Sequence, residues 1–128
     1  MTITTSNTNK NHIVIIEDNV NVSACLQLIL EQNFKLSFFT TAEDALPYVR
    51  QNSTLIDLII LDYRLPGMYG AEFLSLIRRD EHMKHLKVIL QTGDDLDLLD
   101  LISKADCYLA KPWAKQEMLD AIERLLAE

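Results

Sequence analysis

Glycine and proline are scarce in this 128-residue chain, with three of each. That scarcity argues against a loop-rich architecture and predicts long regular elements with short connections. Cysteine is nearly absent as well: Cys25 and Cys107 stand alone, without CxxC spacing. No disulfide framework is implied, and both thiols, each inside an apolar element, are expected to be buried and reduced. No apolar run approaches the ~18 residues that a bilayer span requires. Basic residues are outnumbered, 12 Lys and Arg against 19 Asp and Glu, for a formal net charge of −7. The balance offers no global attraction to phosphate backbones or anionic lipid, so neither nucleic acid nor membrane is an expected direct partner. Residues 1–11 are polar and lack the apolar core of a signal peptide, which makes them a disordered tail by expectation. A soluble, cytoplasmic protein with one domain over residues 12–128 is expected.

What the chain does contain is alternation. Five β-branched or apolar runs read as strands: Ile13 to Ile16, Lys35 to Phe39, Ile56 to Leu61, Leu86 to Leu90 and Cys107 to Ala110. Helical spacing fills the gaps. Val22, Leu26, Ile29 and Leu30 follow Asn19 or Asn21 as an N-cap, and Thr41 caps a helix in which Asp44 makes a loose capping box. Pro47 inside that second helix predicts a kink or an early break. Phe73, Leu74 and Ile77 mark a third helix over Ala71 to Arg79, and Leu98, Leu101 and Ile102 a fourth over Leu96 to Lys104. The fifth, from Lys115 onward, carries the stripe Met118, Leu119, Ile122, Leu125 and Leu126. Strict β-then-α order with continuously apolar strands predicts an α/β fold, a parallel sheet wound on both faces by helices.

The polar residues that matter sit where the strands run out. Glu17 and Asp18 follow the first strand and Asp62 the third, its carboxylate expected to face solvent. In an open parallel sheet, groups past the carboxyl ends of neighbouring strands share one crevice. Three carboxylates there would repel one another by several kcal/mol at an intermediate dielectric. A hard cation relieves this, and Mg²⁺ suits a site of oxygen ligands completed by water and phosphate oxygens. Thr92, after the fourth strand, offers a hydroxyl to a phosphoryl oxygen, and Lys111, after the fifth, a cation for a carboxylate or phosphoryl group. Phosphoryl transfer is mostly positioning and charge neutralisation, and a carboxylate can serve as its nucleophile.

Over residues 12–128 the chain resembles the receiver domain of two-component response regulators. The likeness rests on Glu17-Asp18 in Ile-Ile-Glu-Asp-Asn, Asp62 in Leu-Asp-Tyr-Arg-Leu-Pro-Gly-Met, Thr92 in Gln-Thr-Gly and Lys111 in Ala-Lys-Pro-Trp. It implies a doubly wound, flavodoxin-like five-stranded sheet in the order 2-1-3-4-5, and a cis peptide before Pro112. It implies Asp62 as the phosphorylation site, taking the group from a phosphohistidine on a sensor histidine kinase or a histidine phosphotransfer protein. Glu17, Asp18, Asp62 and the backbone carbonyl of Arg64 would bind Mg²⁺, while Thr92 and Lys111 hold the transferred group. Tyr108 would then turn inward and reshape the face built from the fourth helix, fifth strand and fifth helix. That face would act on a downstream protein target or effector domain, with homodimerisation through it a further expectation. Such a domain assists its own phosphorylation and dephosphorylation without being a turnover enzyme.

Some features depart from the pattern or carry less. Tyr69 stands where the family often has an acid and reads as a turn aromatic. The resemblance gives the positions of Arg64 and Asp94 a role in phosphoryl lifetime, and a bridge between them would slow hydrolysis. His82-x-x-His85 lacks a third ligand and reads as a solvated helix end. Arg78-Arg79 reads as a helix-end charge pair, favourably placed on the dipole. Trp113 divides evenly between an exposed anchor and a residue packed under the last helix.

Two other functions compete. A haloacid-dehalogenase-type phosphatase uses an aspartyl nucleophile with Mg²⁺, but places it after the first strand with a second Asp two residues on, where this chain has Arg64. A flavodoxin-like cofactor binder would need a Ser/Thr/Gly-rich phosphate loop in place of Glu17-Asp18-Asn19.

Overall fold

The computed structural model describes residues 10–93 and 104–128. The disordered-tail expectation therefore lies outside the described residues except at Lys10 and Asn11, and the fourth predicted helix except at Lys104, which is in a turn.

Five strands are present: β1 (His12–Ile16), β2 (Lys35–Phe39), β3 (Leu58–Asp62), β4 (Val88–Thr92) and β5 (Cys107–Ala110). Among the described residues they alternate with helices α1 (Val20–Leu30), α2 (Ala42–Gln51), α3 (Gly70–Arg79) and α4 (Lys115–Ala127). All strand pairs are parallel, in the order β2-β1-β3-β4-β5. This is the doubly wound order expected from the family likeness.

Alternation along each strand divides the core in two. Val14, Ile16, Ile59, Leu61, Val88 and Leu90 point to the face covered by α2 and α3, meeting Ala45, Val49, Phe73 and Ile77. Ile13, Ile15, Leu58, Ile60 and Ile89 point to the other face, where Leu26 and Leu30 of α1 and Met118, Ile122 and Leu125 of α4 close over them. Each such side chain, once fully buried, contributes roughly 1.5–3 kcal/mol. The same parity has a consequence for the site. Glu17, Asp62, Gln91 and Lys111 continue the α1/α4 side of their strands, one step past Ile15, Ile60, Ile89 and Leu109.

Several local expectations are corrected. β3 and β4 begin two residues later than predicted and also end later, with Asp62 and Thr92 as the last residues of their strands. Ile56 and Leu86 are buried but outside the sheet. Pro47 neither shortens nor ends α2, which runs on to Gln51 with Asn52 Nδ2 donating to Tyr48 O at 2.8 Å. Glu43 and Pro47 are both on the solvent side, so water can satisfy the carbonyl that proline leaves without a partner. Cys25 is exposed and Cys107 half-buried, both as free thiols. His82 and His85 follow the end of α3 in a turn, and His85 Nε2 is bonded to Ser53 O at 3.1 Å.

Arg78 is more than a dipole charge. Its guanidinium donates to Lys104 O (2.7 Å), Lys84 O (3.0 Å), Leu86 O (2.7 Å) and Asp106 Oδ2 (3.0 Å). Asp106 Oδ2 in turn accepts from Val88 N at 2.8 Å. One planar fork thus ties the end of α3 to the entries of both β4 and β5.

Candidate phosphoacceptor site

The register assembles the site. Ile16 pairs with Leu61, so the next residues, Glu17 and Asp62, emerge side by side. Asp62 pairs with Gln91, and Thr92 with Ala110, one residue before Lys111. Backbone bonds continue the strand ends outward: Glu17 N donates to Phe39 O at 2.9 Å, Tyr63 N to Gln91 O at 2.8 Å and Lys111 N to Thr92 O at 2.8 Å. The β3–α3 turn folds back tightly beneath Asp62. Gly70 begins α3 there, and a Cβ at that position would collide with the Asp62 carbonyl oxygen.

Glu17, Asp18 and Asp62 each present a carboxylate oxygen within 4.8 Å of the others. At that separation and an effective dielectric near 20, each like-charge pair repels by about 3.5 kcal/mol. Contrary to the solvent-facing expectation, Asp62 is only 4% exposed and Glu17 1%, whereas Asp18 is exposed. Lys111 Nζ lies 2.6 Å from Asp62 Oδ1 and 2.8 Å from Glu17 Oε1, an ion pair with each carboxylate. Burial pushes the Asp62 carboxyl up to about 6; hydrogen bonding to Lys111 opposes this, while Glu17 and Asp18 reinforce it. For Lys111, burial works to lower the pKa, but its bonds to Asp62 and Glu17 outweigh that and hold it above the usual lysine value.

The remaining predicted residues take their places around this centre. Thr92 is buried at the end of β4, next to the residue paired with Asp62. Tyr108 is half-buried on β5 against the α2/α3-side core. Arg64 is exposed two residues beyond Asp62. Asp94 lies outside the described residues, and with it the Arg64–Asp94 bridge. Tyr69 caps α3 without a side-chain bond, its ring tilted against Tyr63 at 6.1 Å. The Lys111–Pro112 peptide is cis.

One participant, Gln91, has no role in the sequence-based expectations, and a second, Trp113, is divided there between exposed and packed. Gln91 has no exposed surface and donates from Nε2 to Glu17 Oε1 at 3.1 Å, while its Oε1 accepts from Trp113 Nε1 at 2.7 Å. Trp113 is therefore packed and hydrogen-bonded, half-buried against the α1/α4 side, in the wall of a groove of about 460 Å³ shared with Asn21, Val22, Cys25, Lys111 and Pro112. The available signal was a glutamine on the inward parity of an otherwise apolar strand, where a polar side chain requires partners.

A parallel sheet in this order, with carboxylates and a lysine gathered at its carboxyl edge, defines a class of Asp-centred α/β domain. The family model for the response regulator receiver domain matches residues 13–123, and the chain belongs to that family. It is similar to the phosphate regulon transcriptional regulatory protein PhoB of Klebsiella pneumoniae, with 31% identity over 118 residues covering 89% of this chain and 51% of that protein. The chemotaxis protein CheY of Pseudomonas aeruginosa is 28% identical over 121 residues, covering 88% of this chain and 94% of that one. The chain spans about half the length of the PhoB proteins it matches. Among solved structures, the receiver domain of the sensor histidine kinase PA1611 from Pseudomonas aeruginosa has a TM-score of 0.84 at 22% identity, over 93% of this chain and 99% of that one. That structure has a magnesium ion coordinated in its active site cleft. This chain is thus a receiver domain of the two-component response regulator type, neither a dehalogenase-type phosphatase nor a flavodoxin-like cofactor binder. Among the described residues, no helix is long and apolar enough to cross a membrane.

Proposed function

We propose that Asp62 is the phosphoacceptor of this receiver domain, within a domain bounded by residues 12 and 128 and preceded by a tail. The observation that carries the reading is the gathering of Glu17, Asp18 and Asp62 within 4.8 Å, with Lys111 bonded to two of them. An Asp62 carboxylate oxygen attacks the phosphorus of a phosphohistidine on a sensor kinase or phosphotransfer protein. A P–O bond forms, the P–N bond breaks, and the departing imidazole takes up a proton. Lys111 moves its charge from Asp62 Oδ1 to the new phosphoryl oxygens, and the Thr92 hydroxyl donates to another. The phosphoryl group stays on Asp62 once the imidazole has left, so the domain acts as a switch and not as a turnover enzyme.

The donor set fits Mg²⁺: three carboxylates of different burial, all-oxygen, in mutual repulsion. Glu17, Asp18, Asp62 and the Arg64 carbonyl would hold the ion, which supplies positive charge against the carboxylates and the incoming phosphoryl oxygens. Tyr108 carries the change toward the β5–α4 side, where a downstream protein or attached effector domain responds. Arg64 and Asp94 set how long the phosphoryl group lasts. The setting is cytoplasmic.

Incubation with Mg²⁺ and acetyl phosphate, followed by intact mass measurement, is expected to show one added phosphoryl group that Asp62→Asn abolishes. An adduct indifferent to that substitution, or none at all, overturns the assignment.

A further inference from the structure

We propose that Gln91 is a positioning residue for Glu17, and that Trp113 acts through it by fixing which way the buried Gln91 amide faces. The inference rests on the reading of Glu17, Asp18 and Asp62 as a Mg²⁺ site.

A primary amide has two unlike ends of nearly the same shape, and a fully buried one is held only by its partners. Gln91 lies between two groups that each tolerate one end alone. The Trp113 indole N–H can only donate, and it stands 2.7 Å from Gln91 Oε1. The Glu17 carboxylate can only accept when ionised, and its Oε1 stands 3.1 Å from Gln91 Nε2. A flipped amide would set oxygen against oxygen at Glu17 and N–H against N–H at Trp113. The mismatch at Glu17 would be buried and that at Trp113 partly buried, so the indole selects the orientation that directs a donor at the metal ligand.

Glu17 needs that donor because its other strong partner is shared. Lys111 Nζ bonds Glu17 Oε1 and Asp62 Oδ1 at once, and its function requires it to turn toward a phosphoryl group. Asn19 N, at 3.0 Å, holds only the second oxygen, Oε2. With Lys111 engaged elsewhere, Gln91 still holds Oε1. It is well built for this: it extends from β4 in register with Asp62 and has no exposed surface. Hydrogen-bonded neighbours of a metal ligand set its orientation and hence the affinity of the site. Because Trp113 also forms part of the groove wall beside Val22 and Cys25, the relay joins that groove to the acidic centre. Coupling of this kind is reciprocal, so Mg²⁺ uptake is felt at the indole.

The test uses the full 128-residue chain and its single tryptophan. Trp113→benzothienylalanine keeps the shape of the ring system and removes only the N–H. Isothermal titration with Mg²⁺ is expected to show affinity weakened by about threefold to tenfold, the scale of one lost hydrogen bond. Gln91→Leu is expected to weaken it by about tenfold or more, with Gln91→Met in its place should the leucine variant fail to fold. The two changes combined are expected to be no worse than the Gln91 substitution alone, because the indole acts through the amide. A purely structural tryptophan would lower the melting temperature and leave Mg²⁺ affinity unmoved. Unchanged affinity in the benzothienylalanine protein, or losses that simply add, overturns the relay while the metal site stands. Failure of the unsubstituted protein to take up Mg²⁺ overturns the metal-site reading, and the relay with it.

Discussion

A single carboxyl group carries the tension between stability and function in this domain. Asp62 is pushed up to about 6, first by burial, against the pull of Lys111 and with added repulsion from Glu17 and Asp18. In the unfolded chain it returns to an ordinary value near 3.8. Between those two values the folded protein binds the proton more tightly than the unfolded chain, so stability falls as pH rises through the window. Above it, both states are ionised and the folded one carries a constant cost of about 3 kcal/mol by linkage. Replacing the carboxylate with its neutral isostere removes that cost. In EDTA at pH 8, Asp62→Asn is expected to raise the melting temperature by on the order of 5–10 °C. At pH 5 the gain should shrink, since the native carboxyl is then mostly protonated. Thermal melts at the two pH values check this. A loss of stability at pH 8 would mean that the Lys111 pair outweighs burial.

At the scale of elements, the joint made by Arg78 is the feature most exposed to test. The side chain is 21% exposed and satisfies three backbone carbonyls and Asp106 at the entries of β4 and β5. Truncation takes the donor from three backbone carbonyls, that of Leu86 half-buried, and leaves Asp106 with Val88 N alone, so Arg78→Ala is expected to destabilise by about 1–2 kcal/mol. Among the described residues its neighbour Arg79 bonds only Ser75 O within its own helix, at 3.3 Å, and Arg79→Ala should stay within about 0.5 kcal/mol. Urea titrations of the pair decide the matter, and equal effects would reduce Arg78 to a surface charge. Nothing in Arg78-Arg79 as a dipeptide distinguishes the two, because the acceptors come from residues 84, 86, 104 and 106. Other elements were more legible. β2 and β5 fall where composition puts them, whereas β3 and β4 were placed two residues early because Ile56 and Leu86 are buried without being paired. Apolar content reports burial, and only register reports pairing. The misplaced Cys25 has a related cause. α1 is apolar nearly all round, with Val20 and Leu28 each 75% exposed, so its sequence does not say that Leu26 and Leu30 form the buried side.

For the molecule as a whole, the site exists only because the chain is folded. Residues 17 and 18 are separated from 62, and 62 from 111, by intervening strands and helices, yet the sheet order sets the first two groups on the adjacent ends of β1 and β3 and brings residue 111 to the same edge, one strand further on across β4. Their types and their positions at the ends of apolar runs made the carboxylates and the lysine legible. The Gln91–Trp113 link was not, since it depends on side-chain parity and on the path taken after Pro112. A site assembled by topology binds its ion in the folded state alone, so Mg²⁺ must stabilise the fold by mass action. At pH 8 the melting temperature is expected to climb with Mg²⁺, each tenfold increase above the dissociation constant adding about 1.4 kcal/mol. That corresponds to a rise of several degrees per decade for a domain of this size. NaCl at matched ionic strength should not reproduce the rise, because screening a net charge of −7 acts on both states, whereas the cluster is specific to the folded one. Asp18→Asn is the decisive control. Asp18 is exposed, so its replacement leaves the core intact while removing one of the three carboxylates of the cluster. The melting temperature of that variant should respond to Mg²⁺ no more than it does to NaCl. A wild-type response equally shallow would show that the three carboxylates, although gathered, do not form a metal site.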